Sequence, residues 1–353
     1  MKGKQNIGSR LLRNPGTLFG LIVIGAAMIV AVIGYLIAPD GSPDANRIIV
    51  EIGGRKPGFR QQFLLVRKPG DRPAVAFFHL LLFGQEDVYD HVPIDGYRME
   101  KDSLIVRKFV DEGVYERRAY LLSEPPRIEF RRFWLGTDKY GRDILSRLLI
   151  GVRVSLAVGM VTVLLSISVG VLLGALAGYF RGRVDETILW LVNVIWSIPT
   201  LLLVFAIMLV LGKGFWQVFV AIGLTLWVNV ARIVRGQVLA VREREYVEAA
   251  RALGYSHGRI LFRHILPNIM GPVWVVAASN FASAIVIEAG LSFLGVGVQP
   301  PQPSWGLMIK ENYNFIITHN PMLALAPGIA IMLLVLAFNL LGNGLRDVLN
   351  VRV

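Results

Sequence analysis

An all-α transmembrane bundle of six helices, with a β-rich domain inserted on the outer side of the membrane, is the fold this sequence predicts. Three observations point there. Hydrophobic residues make up 54% of the 353 positions, mean hydropathy is positive, and the apolar residues come in long blocks. Between the first and second blocks lies a charged stretch that alternates like strands. The basic residues outside that stretch gather in the segments that face one side of the membrane.

Crossing the ~30 Å hydrocarbon core takes about 20 mostly apolar residues. Six blocks meet or approach that length: Leu18–Ile37, Leu156–Ala177, Ile188–Leu211, Phe215–Val230, Ile269–Ile287 and Met322–Leu341. The fourth is the shortest, with Asn229 near its end. Ala74–Phe83 is apolar too, but ten residues cannot span. The first block is too long, and lacks the small-residue cleavage site, for a removable signal; it reads as a retained anchor behind a basic arm, residues 1–17.

A net charge of +12 could suggest nucleic acid, so its location matters. Residues 38–151 hold 19 basic and 17 acidic side chains, leaving +2, and everything else carries +10. With the N-terminus inside, the short inner segments hold Lys2, Lys4, Arg10, Arg13, Arg181, Arg183, seven arginines between 232 and 263, Arg346 and Arg352. The short outer loops hold Lys213 and Lys310, and Arg153 sits at a span edge. This is the positive-inside pattern, and long translocated domains are largely exempt from it. The charge therefore reports topology, with both termini cytoplasmic, and no nucleic-acid partner.

The outer segment, residues 38–133, begins at Pro39, Gly41 and Pro43. Arg60–Lys68 alternates like a strand, and Ser103–Asp111 with Val114–Leu122 reads as a hairpin turning at Asp111-Glu112-Gly113. Its expected role is spacer or docking module. The chain has no cysteine, so neither a disulfide nor a thiolate metal site is possible.

The core, 134–353, holds the remaining five spans. In the second, Gly170, Gly174 and Gly178 recur every four residues, one face where helices can approach closely. Pro199 should kink the third. Asn193, Ser197, Asn280 and Ser283, with Asn229 and Asn339, are costly against lipid and should face the bundle or a wet cavity. Interhelical hydrogen bonding is the plainer account; lining a translocation path is the other. No Asp, Glu, Lys, Arg or His falls in the middle of a span, and Glu288 is expected at the outer edge of the fifth. Proton- or ion-coupled carriers usually need such groups at membrane depth.

The loop 231–268 between spans four and five is the most informative stretch. Glu243 to Leu253 lacks Gly and Pro and places Tyr246, Ala249, Ala250 and Leu253 near one helical face. Gly254 can end that helix in a left-handed conformation. Ser256 can cap a second short helix, and Pro267 opens the fifth span. The expectation is a helix–turn–helix that docks a soluble partner: small alanines admit a partner's groove, while Glu248 and the arginines set orientation.

This loop resembles the EAA loop of ABC-importer permeases in Glu248, Ala249, Ala250, Gly254, Leu266 and Pro267, with His264 where the generic pattern has Ile. Leu135-Gly-Thr-Asp-Lys-Tyr-Gly-Arg-Asp-Ile-Leu-Ser-Arg-Leu-Leu149, Ile287–Gly306 and Asn339–Asp347 resemble the dipeptide and oligopeptide branch. The likeness is dense over 134–350, loose over 1–37 and poor over the insert 44–132. It implies the type I importer permease fold in a bacterial or archaeal plasma membrane. It also implies a homologous second permease, two cytoplasmic ABC ATPases and an extracytoplasmic solute-binding protein. Glu245, Glu248, Ala249, Ala250, Gly254, Leu266 and Pro267 would form the ATPase-coupling loop. The chain has no phosphate loop and no nucleophile signature, so ATP and Mg are expected on the partner ATPases, with no cofactor and no catalytic residue here. Nickel chelates or oligosaccharides are alternative cargoes on the same architecture; a secondary carrier is the rival from another class.

Overall fold

The structure, a computed structural model, describes residues 7–69, 76–100, 103–121, 125–318 and 320–349. Lys2, Lys4, Ala74, Leu122 and Arg352, named above, lie outside them. In chain order the elements are α1 (Ile7–Arg13), α2 (Pro15–Ile37), β1 (Phe59–Arg67), α3 (Phe77–Phe83), β2 (Tyr89–Glu100), β3 (Ser103–Asp111), β4 (Val114–Leu121) and β5 (Arg127–Phe133). Then come α4 (Ile144–Phe180), α5 (Gly182–Trp196), α6 (Thr200–Leu211), α7 (Phe215–Val241), α8 (Glu245–Ala252), α9 (His257–Arg259), α10 (Leu266–Leu294), α11 (Trp305–Asn312), α12 (Phe315–Thr318) and α13 (Met322–Leu349). The chain divides into two compact units: 1–27, 155–299 and 331–353 form one, and 28–154 with 300–330 the other.

The second unit contains an antiparallel five-stranded sheet in the order β4-β3-β2-β1-β5. Side chains alternate across the interior strand β1, as the period of two requires. Phe63 packs with Ile49, Ile52, Phe109 and Phe133, while the neighbouring Leu64 packs with Ile94, Leu104 and Val106. The hairpin β3–β4 turns at 111–114. The apolar run after β1 is a seven-residue helix, α3, in which no residue is buried.

Beside the sheet, Arg47 grips Asp87 through two nitrogens, and His91 on β2 meets the Phe63 ring edge-on at 6.2 Å. Burial opposes the charge on Asp87, but the Arg47 hydrogen bond overrides it and holds that carboxyl below its ordinary range. Burial first, then the charges of Arg47 and Arg131, push His91 down from 6.5 to about 4. An unfolded His91 therefore takes up its proton near pH 6.5 while the folded one resists until about pH 4. Stability is full above pH 6.5 and declines toward pH 4, and loss of the Asp87 carboxylate acts in the same direction below that. Partial solvent exposure limits the histidine contribution to on the order of 1 kcal/mol. Deuterium exchange of β1 and β2, corrected for intrinsic pH dependence, should show weaker protection at pH 4.5 than at pH 7.5. His91→Gln should flatten that difference; an unchanged difference would remove His91 as its cause.

The run 135–147 folds into a hydrogen-bonded hub. Thr137 Oγ1 accepts from Arg55 N (3.0 Å) and donates to the Ile52 carbonyl. Asp138 accepts from the backbone of Tyr140 (2.9 Å) and Arg142 (3.0 Å) and from Arg142 Nε (2.6 Å). Arg142 reaches on to Glu311 (2.7 Å), and Asp143 caps α4 through Ser146 N (2.8 Å). The Thr, Asp and Arg of this stretch are thus fastening residues in a buried loop.

Five described helices are long and apolar enough to cross a membrane: α2, α4, α7, the helix continuous from His257 to Leu294, and α13. A sixth crossing is reached if α5 and α6, bent by 94°, count as one. The helices that carry the expected spans have bounds of their own. The helix that carries the second expected span starts twelve residues before Leu156, because Arg147 and Arg153, which lower local hydropathy, are accommodated inside the fold. The third is broken in two, not kinked. Pro199 cannot donate to Ile195, and the residue before a proline avoids the helical region. The fourth runs on to Val241, so residues 231–241, assigned to the loop, are helical. Their arginines find partners: Arg235 makes a two-nitrogen pair with Asp185, and Arg232 stacks on Trp196 at 3.6 Å. Glu288 lies six residues inside the end of α10, 1% exposed, accepting from Ser292 Oγ at 2.6 Å.

Candidate functional site

Within the first unit, a buried cluster supports everything in the loop. Tyr179 at the end of α4, Val234 and Val238 of α7, and Ile260, Leu261, Ile265 and Ile269 form it, and Val247 and Ala250 of α8 close it from outside. An isolated eight-residue helix is marginal in water, so α8 owes its existence to this contact. Val247 and Ala250, three apart, are the residues on its inner face. The predicted face of Tyr246, Ala249, Ala250 and Leu253 therefore divides. Ala250 is buried at 4% exposure, whereas Tyr246, Ala249 and Leu253 are exposed, Leu253 at 71%. Val247 was the signal missed: a β-branched apolar residue one step from the Glu-Ala-Ala triplet, at the spacing that pairs it with Ala250.

The end of α8 is a Schellman closure. Gly254 N donates to Arg251 O at 2.9 Å, and Tyr255 N reaches back to Ala250 O at 3.2 Å. This motif needs a left-handed residue between, and Gly254 has φ = 76°. Ser256 then caps α9, its Oγ accepting from Arg259 N at 3.4 Å. The expected second helix does not stop near His264. Residues 260–265 widen into a π-turn that runs directly into α10, with Leu266 N bonded to Leu261 O. Pro267 has no N–H for the ordinary ladder, and a wide turn beside it absorbs the mismatch. Leu266 is half-buried against the cluster, and Pro267 is exposed in the first turn of α10.

Aromatic and histidine rings join the two short helices to their supports. Tyr179 Oη lies 2.9 Å from His257 Nδ1, and the Tyr255 ring stacks on His264 at 5.8 Å and 21°. The second contact gives His264 a physical role where the generic pattern has Ile. Arg242 donates to the Tyr179 carbonyl; burial, then the like charges of Arg181 and Arg251, pull its pKa down from the ordinary guanidinium value. Neither Tyr179 nor His257 stands out in the sequence, because their pairing bridges 78 positions.

What α8 presents outward is a compact surface. Glu245 and Glu248 are exposed and, among the described residues, have no ion-pair partner; both lie in its first turn, where carboxylates complement the helix dipole. Beside them are Tyr246, Ala249 and Leu253, with Phe262 65% exposed on the π-turn. Apolar side chains left open next to uncommitted carboxylates have the chemistry of a docking face.

The glycine face meets α7 in register, with both helices running the same way. A Cβ at Gly170 would lie 2.5 Å from Val230 Cβ and 2.7 Å from Trp227 O; at Gly174, 2.4 Å from Ala231 O; at Gly178, 2.8 Å from Arg235 O. The polar span residues separate into two groups. Asn280 is buried and donates toward Ser166 Oγ (3.3 Å) and Leu226 O (3.4 Å), which ties three helices together. Asn193 on α5 and Ser197 just past its end are exposed; Asn193 accepts from Arg232 Nη2 at 3.3 Å, and Ser197 bonds back to Val194 O. Ser283 is half-buried on α10.

Residues 170–353 match the family described as binding-protein-dependent transport system inner membrane component. The chain is 43% identical over 217 residues to the glutathione transport system permease protein GsiD of Pectobacterium atrosepticum, covering 62% of this chain and 72% of that protein. It is 41% identical over 217 residues to the oligopeptide transport system permease protein OppC of Bacillus subtilis, covering 62% and 71%. It is 42% identical over 235 residues to the di/tripeptide transport system permease protein DppC of Pseudomonas aeruginosa, covering 66% and 77%.

Proposed function

The chain belongs to the family of binding-protein-dependent transport system inner membrane components, and from that premise we propose that it forms half of the translocation pathway of an ATP-driven importer of dipeptides or oligopeptides. The three relatives above carry glutathione, oligopeptide or di/tripeptide transport in their names, and all are permease proteins. The observation that carries the mechanism is α8: a short helix whose inner face is bound to the core while Glu245, Glu248, Ala249 and Leu253 remain open.

In this reading the loop faces the cytoplasm and seats an ABC ATPase. A second, homologous permease completes the pathway, and a solute-binding protein delivers peptide at the outer mouth. Six crossings follow if the α5–α6 pair spans as one broken helix. Because α9, joined to α8 by the turn at Gly254, is tied to α4 through Tyr179 and His257, movement of a docked ATPase reaches the spans directly. ATP then shifts the cavity between inward- and outward-facing states to the extent that it binds those states with different affinity. The expected result is ATP-dependent uptake of a labelled tripeptide by vesicles holding the whole assembly. Equal uptake without the ATPases would overturn the reading.

The five-stranded sheet lies outside the membrane in the same reading. Glu116 on β4 is the labelling site of choice, because it and its partner Arg118 are exposed, whereas Asp87 is largely shielded in its pair with Arg47. A Cys at 116 should react with an impermeant maleimide in spheroplasts. Reaction only after the membrane is opened would place the sheet inside.

A further inference from the structure

The helix α3, Phe-Phe-His-Leu-Leu-Leu-Phe, has an apolar surface that no described residue covers. Phe77, Phe78, Leu82 and Phe83 are 61%, 74%, 56% and 59% exposed, and no residue of the helix is buried. A soluble domain rarely leaves four large apolar side chains together in water. Its position within the second unit indicates what covers it.

One guanidinium sets that position. Arg153 Nη1 donates to Leu82 O at 2.6 Å, and Nη2 donates to Leu81 O at 2.6 Å. The same Nη2 donates to Val32 O at 2.9 Å, Nε donates to Ala31 O, and the guanidinium lies 4.6 Å over the Tyr35 ring. The last turn of α3 is therefore clamped to α2 at the level of Ala31 and Val32. A second tie follows: Gln85 N donates to Gly41 O at 3.0 Å, so the exit from α3 is held to the exit from α2. Ala31–Val32 precede the end of α2 at Ile37 by five or six residues, about 8 Å at 1.5 Å per residue. Helices that lie in a membrane interface bury their apolar side roughly 5–10 Å into it. On α2 itself Met28, Ile29, Val32, Leu36 and Ile37 are exposed at 46–61%, a surface suited to lipid, and α3 is continuous with it through Arg153.

We propose that α3 lies in the outer leaflet of the bilayer, anchoring the sheet domain to the membrane beside the first span. The occupant of its exposed face is lipid acyl chain, and Arg153 satisfies the α3 C-terminal carbonyls that lipid cannot. The inference rests on the reading that α2 crosses the membrane with the sheet outside.

The chain has no cysteine, so a single Cys is its only thiol. The full chain carrying Phe78→Cys, spin-labelled and reconstituted in phosphatidylethanolamine–phosphatidylglycerol vesicles, tests the inference by collision with oxygen and with a polar nickel chelate. Ile29→Cys reports the span and Glu116→Cys the sheet. Position 78 should resemble 29, with an oxygen-to-nickel ratio several-fold above that at 116. Leu82→Cys on the same helix should agree, and stands in should the label at 78 prevent folding. Nickel access at 78 equal to that at 116 would mean water covers the helix; low access to both reagents would mean protein does. Either result overturns the inference. A water-like ratio at 29 would instead overturn the spanning reading beneath it.

Discussion

Gly174→Leu should leave almost no folded permease to purify. A Cβ at this position would stand 2.4 Å from Ala231 O and 2.9 Å from Ala231 Cα, distances real Cβ contacts do not reach. The obstacle is backbone, so no side-chain rotation relieves it. Gly170 and Gly178, one helical turn away on either side, face α7 equally closely. Making room at 174 therefore means separating the two helices along three turns and giving up the packing of Val230, Val234 and Val238. Overpacking a core typically costs 1–3 kcal/mol where side chains can shift, and the cost here should exceed that range. Gly236→Ala on α7 is the matched control, since nothing lies within 4 Å of its Cβ. Membrane yield, subunit ratio and thermal stability in detergent are the measurements. Normal values for Gly174→Leu would show that α4 and α7 do not pack this way.

The second large effect is a loss of transport without a loss of fold. Glu248→Lys alters an exposed side chain that has no ion-pair partner among the described residues, so stability should move by about 0.5 kcal/mol or less. If α8 seats an ATPase in a groove that is basic or rich in backbone N–H, reversing this charge replaces attraction with repulsion. Gly254→Val acts on the other end. No atom lies within 4 Å of a Cβ there, so the cost is backbone strain alone, at φ = 76°. Relief comes from unwinding the closure that sets α8 against α9, so the docking face turns away from its partner. Asn tolerates the left-handed region, and Gly254→Asn should recover much of what Val loses. Uptake in reconstituted vesicles, with retained ATPase quantified beside it, reads all three variants, while ligand binding by the isolated binding protein stays constant. Normal transport with full ATPase occupancy in both Glu248→Lys and Gly254→Val would end the claim that this loop couples.

Ala250 is not part of the exposed face of α8. Expected to offer a small surface to a partner, it lies beneath α8 at 4% exposure, so enlarging it disturbs folding instead of docking. Ala249, its neighbour, is the exposed one of the two. A hundred-degree step per residue separates adjacent helical positions, and the sequence of the triplet does not say which member turns inward. Val247 decides that once the core beneath is known.

The sequence by itself determined what depends on short range and on counting. Runs of apolar residues locate spans, because the hydrocarbon thickness sets a length. Arginine placement supplies their expected orientation. Gly254 ends a helix, Ser256 starts one, Pro199 breaks one, and Gly113 turns a hairpin, each through the backbone of its own neighbours. Only the tertiary structure decided where charge is tolerated in a helix. Arg153, Arg232 and Arg235 lower local hydropathy and shortened the expected spans, yet each is satisfied by residues 39 or more positions away. It also decided which polar residues bind helices together, as Asn280 does to Ser166 across 114 positions, and which face of α8 is free. The reason is common to all of these: the energy of a polar or charged side chain is set by the partner that folding brings to it, and periodicity does not encode the partner.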